Sequence, residues 1–214
     1  EESWGGEGFG VATSLDGCSN WTDHGYVWRD PSWVQRKSWV GSGSVWRAAD
    51  FEQTGRYLTN NAEMLPNHSQ TLTFAESYDL IHWRRTPELE KLYFPIHPEL
   101  GYRSSYGRWD GIYSVPAKRP GERDGYPRLG YWTATCVHPV SKKTTGSFAM
   151  GVTHDGVHWT AFPPPKMEPG PIGAELGAVE WVPYTSGKPG GRWVALLGSG
   201  WPRTNLVYSS ASAY

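Results

Sequence analysis

The chain of 214 residues has only two cysteines, Cys18 and Cys136, and three methionines. Two thiols cannot build a disulfide framework or a four-thiolate zinc site, so cross-links are not expected to hold the fold. They are read as free thiols in preference to a bridge. Long apolar runs are also missing. No stretch of 18 apolar residues occurs, so no membrane-spanning helix and no membrane partner are expected. Neither sign of charge dominates: 20 basic residues face 21 acidic ones. Nucleic-acid binders carry a clustered basic surface, so no nucleic acid is expected as a partner. No segment sustains a 3.6-residue apolar period, which excludes long amphipathic helices. The Gly-x-Ser-x-Gly elbow, the His-Glu-x-x-His pair and the phosphate loop are all absent, and no metal or cofactor is implied. The chain opens on Glu1-Glu2, without an initiator methionine or a signal peptide, and is expected to be processed or a segment of a longer protein.

Aromatic and turn residues are abundant. The chain holds 13 Trp, 12 Tyr and 6 Phe, with 26 Gly and 17 Pro. Gly and Pro thus make about a fifth of the chain, against roughly 12% in average usage. Short strands joined by tight turns have this composition. Period-two or short apolar character predicts strands over Gly8–Ser14, Gly43–Ala48, Arg56–Asn61, Thr71–Ser77, Gly111–Ala117, Leu129–Val137, Ser147–Thr153, Ala178–Pro183, Arg192–Gly198 and Leu206–Ser210.

One pattern recurs. "VATSLDGCSNW" (11–21), "FAESYDLIHW" (74–83) and "MGVTHDGVHW" (150–159) each end a strand in Ser or Thr. An Asp follows two places later, then a Trp four or five places on. Ser14, Ser77 and Thr153 are 63 and 76 residues apart, a period that fits four-stranded blades of a β-propeller. Asp16, Asp79 and Asp155 are read as turn residues that accept from backbone N–H groups, and His82 and His158 as turn surface.

A second spacing bears on chemistry. In a propeller each blade's innermost strand starts at the axis, so residues at those entrances converge on one cavity. "VGSGSVW" (40–46), "GRWDGIYSV" (107–115) and "GAELGAVEWV" (173–182) each precede or open a strand. Ser44 to Asp110 is 66 residues, and Asp110 to Glu175 is 65. A carboxylate pair about 5–10 Å apart is the machinery of glycoside hydrolysis.

These residues resemble glycoside hydrolase family 32, the β-fructosidases. Trp4-Gly5 before Ser14-Leu-Asp16, Ser42-Gly43-Ser44, Arg108-Trp109-Asp110 and Glu175-Leu176-Gly177 follow the order of that family's motifs. The third and fourth depart from its Arg-Asp-Pro and Glu-Cys-Pro. Glycoside hydrolase family 43, which acts on arabinose and xylose polymers, is the nearest alternative. The literal Arg29-Asp30-Pro31 falls before Ser-Gly-Ser and is read as loop. The resemblance implies a five-bladed propeller, a single domain over 1–214 with three to four blades, and a retaining hydrolase for fructose-containing saccharides. It makes Glu175 the general acid, with Glu180 as its competitor. It makes Asp110 the ionised transition-state stabiliser, held by Arg108. The family's nucleophile strand is expected to lie outside this chain, which alone is then expected to be inactive or nearly so. Trp4, Trp39, Trp46 and Trp109 are candidates to stack on sugars, and Ser42 and Ser44 to bond hydroxyls. An extracellular or periplasmic location is expected, in line with sequons at Asn20 and Asn67. Two other readings stay open: a non-catalytic carbohydrate-binding propeller, and a sialidase-like propeller suggested by the turn at 14–21. The second ranks last, because the arginines do not recur at the blade period.

Overall fold

The computed structural model describes residues 10–26, 42–65, 69–104, 106–117, 125–137, 141–165, 174–182, 192–199 and 205–210. Trp4, Trp39, Asn67 and the Arg29-Asp30-Pro31 segment lie outside them.

The described residues are all-β, in several separate antiparallel sheets, none of them closed on itself. The first is a hairpin of β1 (Gly10–Ser14) and β2 (Trp21–Tyr26). The second holds β3 (Val45–Arg47), β4 (Tyr57–Met64), β5 (Gln70–Ser77) and β6 (Phe94–Pro95). The third holds β7 (Tyr113–Pro116), β8 (Arg128–Val137), β9 (Thr144–Thr153) and β10 (Trp159–Ala161). The fourth holds β11 (Ala174–Val182), β12 (Arg192–Ser199) and β13 (Asn205–Ser210). In every sheet the spatial order equals the chain order, a plain meander. All ten strands expected from the sequence are present. Short β2, β6 and β10 escape the periodicity reading. So do the one-turn helices α1 (Phe51–Thr54) and α2 (Pro87–Glu90). The first ends where Gly55 turns left-handed at φ 71°, and the second starts where Thr86 Oγ1 accepts from the Leu89 N–H.

Period two decides the packing. Along β8, Leu129 and Tyr131 face one side, and Trp132, Ala134 and Cys136 the other. Along β9, Phe148, Met150 and Val152 alternate with Ala149 in the same way. The third sheet is therefore apolar on both faces and sits between two cores. One core joins it to the second sheet through Trp46, Leu58, Leu72, Phe74 and Phe94. The other joins it to the fourth sheet through Val179, Trp193 and Ala195. Gly130 and Gly151 let the rings in: a Cβ on Gly130 would stand 2.4 Å from Trp159, and one on Gly151 3.0 Å from Trp132.

The recurrent turns share one geometry. Asp79 Oδ1 accepts from the N–H groups of Ile81 (2.9 Å) and His82 (2.7 Å), and Asp155 Oδ1 from those of Val157 (2.9 Å) and His158 (2.8 Å). Asp16 Oδ1 takes those of Cys18 (2.9 Å) and Ser19 (3.2 Å). The preceding Ser14, Ser77 or Thr153 donates its hydroxyl to the same carboxylate. The Trp then closes the turn by donating Nε1–H to a turn carbonyl, Cys18 O, Leu80 O or Gly156 O. His82 and His158 hold the second carboxylate oxygen through Nδ1, a place Ser19 Oγ takes in the first turn. The three aspartates are thus structural. Burial pushes the Asp155 carboxyl up, but the His158 N–H and ring and the Val157 N–H outweigh it and hold it down at about 2. Hydrogen bonds likewise lower Asp16, chiefly from the Cys18 N–H, and Asp79, chiefly from His82.

Both cysteines are free, Cys18 exposed and Cys136 buried. Burial pushes the Cys136 thiol up to about 11 against the opposing hydrogen bond of Ser147.

Candidate functional site

Two segments distant in sequence meet at the start of the second and third sheets. Ser42-Gly43-Ser44 extends β3 backwards along β4, with Ser44 O accepting from the Asn60 N–H (3.4 Å) and Ser42 O from the Ala62 N–H (3.2 Å). Arg108-Trp109-Asp110 extends β7 backwards along β8: the Asp110 N–H donates to Thr133 O and the Thr135 N–H to Arg108 O, both at 3.0 Å. Trp109 faces Ala134, whereas Tyr113 faces Tyr131. Asp110, Gly111 and Ile112 therefore oppose only Thr133 and Trp132. This β-bulge re-aims the chain where the candidate acid stands.

Glycine makes the meeting possible. A Cβ on Gly111 would lie 2.1 Å from Ser42 O, and one on Gly43 1.8 Å from Asn60 O. No side chain fits at either place, so the two backbones touch. The Gly111 N–H reaches Ser42 Oγ at 3.4 Å, and Ser44 Oγ donates to Ile112 O at 2.5 Å.

Asn60, which belongs to none of the sequence motifs, ties the two segments. Its side chain accepts from the Ile112 N–H (2.6 Å) and donates to Ile112 O (3.0 Å) and Ser44 O (3.3 Å). It is fully buried. An amide replicates a backbone N–H/C=O pair, which is why an Asn fits a spot where one strand lacks its ladder partner. The signal in the sequence is a polar residue on the apolar face of a strand, between Leu58 and Ala62.

Asp110 is 5% exposed and ion-paired with Arg108, which is itself half-exposed. The Arg108 guanidinium supplies the counter-charge that a buried carboxylate needs. Ser42, Ser44, Arg108 and Asp110 are thus brought together. The two serines play different parts, since Ser44 is committed to a backbone carbonyl while Ser42 is exposed.

The tryptophans are a correction. Trp109 is fully buried and not a sugar platform. Its ring lies 4.9 Å from Tyr102, 5.0 Å from Trp132 and 5.6 Å from Phe94. Its backbone N–H donates to Gln70 Oε1 and its Nε1–H to Phe94 O. Trp46 is also buried, edge-on to Trp159 at 6.0 Å. Both are inter-sheet core, where large rings fill a wide gap; the Trp109 Nε1–H finds a carbonyl there, and Trp46 Nε1 finds no partner among the described residues. The exposed aromatic of this segment is Tyr106, whose φ of 53° is unusual for a side-chain-bearing residue.

Glu175 lies within β11 rather than in front of it, since that strand starts at Ala174, earlier than its apolar run predicts. It faces Gly198, and Glu180 faces Val194 farther along. A bulge follows between Leu176 and Ala178, the same irregularity that the third sheet has around Gly111. Asp110 sits inside its bulge and Glu175 before its own, so equal spacing in sequence does not give identical register.

No family model matches the sequence, and a search of curated proteins finds no match. Among solved structures, one described as a complex of BT0996 with RGII aligns over 83% of this chain and 72% of its own, at 12% identity and a TM-score of 0.33. Another, described as "Glycoside hydrolase", aligns with the same shares at 11% identity and a TM-score of 0.30. Likeness at that level carries no argument about the activity of this chain.

Proposed function

We propose that the chain is part of a glycoside hydrolase whose sheets are blades of a β-propeller, with the Ser42–Ser44 and Arg108–Asp110 segments at its axial site. The observation that carries this is the contact between two strand entrances 66 residues apart, where a buried, arginine-paired aspartate stands beside an exposed serine. Repeated meanders with one turn geometry, and a middle sheet packed on both faces, support the blade arrangement.

In this reading Asp110 stays ionised, accepts hydrogen bonds from sugar hydroxyls and stabilises an oxocarbenium-like transition state. Arg108 keeps it charged and fixes its rotamer. Ser42 bonds a hydroxyl. Glu175 protonates the leaving oxygen and then activates water, as a retaining mechanism requires. The nucleophile is not assigned among these residues. Ser-Gly-Ser favours fructofuranosides as substrates, with arabinofuranosides as the runner-up. An extracellular or periplasmic location goes with such substrates.

A non-catalytic carbohydrate-binding domain is the second reading, favoured by the burial of Asp110 against Arg108, which a purely structural clasp would share. Assays of the full-length protein on sucrose, inulin, levan and arabinan separate the two. The enzyme reading expects turnover of one of them, reduced about 100-fold or more by Asp110→Asn and by Glu175→Gln. Wild-type rates in both variants remove the site assignment, and sugar binding without turnover selects the second reading.

A further inference from the structure

The two faces of the second sheet differ. One carries Leu58, Ala62, Leu72 and Phe74 into the core shared with the third sheet. The other carries Thr59, Asn61 and Glu63 from β4 and Thr71, Thr73 and Ser77 from β5, all of them buried. Thr59 donates to Ser44 O and Ser77 belongs to the Asp79 turn. Between Ser44 and the far end of the sheet the pattern changes. Asn61 faces Thr73 and Glu63 faces Thr71 across the ladder. These four, Asn61, Thr73, Glu63 and Thr71, are 0%, 0%, 4% and 1% exposed. Both amide atoms of Asn61, Glu63 Oε2 and both threonine Oγ1 atoms have no hydrogen-bond partner among the described residues. Elsewhere among the described residues, unpartnered buried polar atoms are scattered singly, as at Trp46 Nε1 or His97 Nε2.

Directly opposed side chains on one sheet face have Cβ atoms about 5 Å apart, and the next pair lies about 7 Å along the strand. The four oxygen-bearing groups therefore share one small patch. A lone polar orphan can be tolerated, but two adjacent pairs including a carboxylate cost far more. A buried carboxylate calls for a counter-charge. The described residues give Glu63 no ion pair. The set has one carboxylate, one amide and two hydroxyls, with neither His nor Cys, so it prefers a hard, oxygen-seeking ion. A single negative charge balances a monovalent cation, whereas a divalent one would leave a net buried charge.

We propose that Glu63, Asn61, Thr71 and Thr73 form an internal site for a monovalent alkali cation, sodium or potassium, coordinated through oxygen. The site flanks the Ser-Gly-Ser segment: a Cβ on Gly43 would stand 3.2 Å from Asn61 Oδ1. Occupancy thus braces the strand that carries Ser42. The assignment stands apart from the glycosidase reading, because it concerns stability and is read without a substrate.

The test is thermal unfolding of the full-length protein in sodium, potassium and choline chloride at equal ionic strength. The expected result is a midpoint about 2–4 °C higher in one alkali salt than in choline, the shift for about 1 kcal/mol of ligand-linked stabilisation at this size. Glu63→Gln and Thr73→Val should each abolish that difference, including where the variant is less stable overall. Equal midpoints of the wild type in all three salts would overturn the proposal. A salt-specific shift that persists in both variants would overturn it too, by placing the ion elsewhere.

Discussion

Replacing Asn60 with Ala removes the clasp between the two strand entrances. The Ile112 N–H, on a fully buried residue, would lose its acceptor at 2.6 Å. Leaving such a donor unsatisfied costs about 1–3 kcal/mol. The carbonyls of Ile112 and Ser44 fare better, because Ser44 Oγ and Thr59 Oγ1 still donate to them. Loss of the two bonds from Nδ2 adds about 1–2 kcal/mol. The expected total is about 2–5 kcal/mol, a fall in melting midpoint of roughly 4–20 °C for a chain of this size. Hydrogen exchange reads the local effect: the Ile112 amide should lose protection before the amides of β9 do. Asn60→Asp is the sharper control. It keeps the acceptor but turns a carboxylate oxygen toward two carbonyls, in a buried place without a counter-charge. Its folded pKa must then lie above the unfolded value near 3.9, so this variant should gain stability, relative to the wild type, as pH falls toward 4. A midpoint for Asn60→Ala within about 2 °C of wild type, with Ile112 still protected, would refute the clasp.

Three further outcomes follow from the same geometry. Trp109→Ala should cost about 3–5 kcal/mol in denaturant titrations as a core truncation, whereas a sugar platform would instead raise KM at unchanged stability. Leu80 occupies, at φ 67°, the turn position that Gly17 and Gly156 fill, so Leu80→Gly should leave stability unchanged or raise it by up to about 1 kcal/mol, against the usual loss for Leu→Gly. Asp155 is held down at about 2, so its contribution is complete above the unfolded pKa near 4 and fades as pH drops toward 2; acid titrations of Asp155→Asn should be flatter than wild type across that window.

The strands and turns were legible because each obeys a local rule. Ser77 and Asp79 bond within the turn itself, so the pattern shows in a ten-residue window. The long alternation of Leu129 to Val137 likewise announces β8. What stayed hidden depends on partners far along the chain. Trp109 looks like a site residue beside Asp110, yet its ring packs into the core against Tyr102, Trp132 and Phe94. Asn60 reads as an ordinary strand residue until Ile112 is placed against it. The bulge at Gly111 and its counterpart at Gly177 shift register by one, which no spacing count reveals. A period near 65 predicts that Ser44, Asp110 and Glu175 converge on one cavity; what the structure joins is the first two segments, where the Gly111 N–H reaches Ser42 Oγ.

The most direct measurement is a crystal structure of the full-length protein with a furanose-shaped inhibitor bound. The account predicts the ring over Ser42 and Asp110, with the carboxyl groups of Asp110 and Glu175 within about 10 Å of each other and facing it. Carboxyls that open onto separate surfaces, or an inhibitor seated away from Asp110, would contradict it.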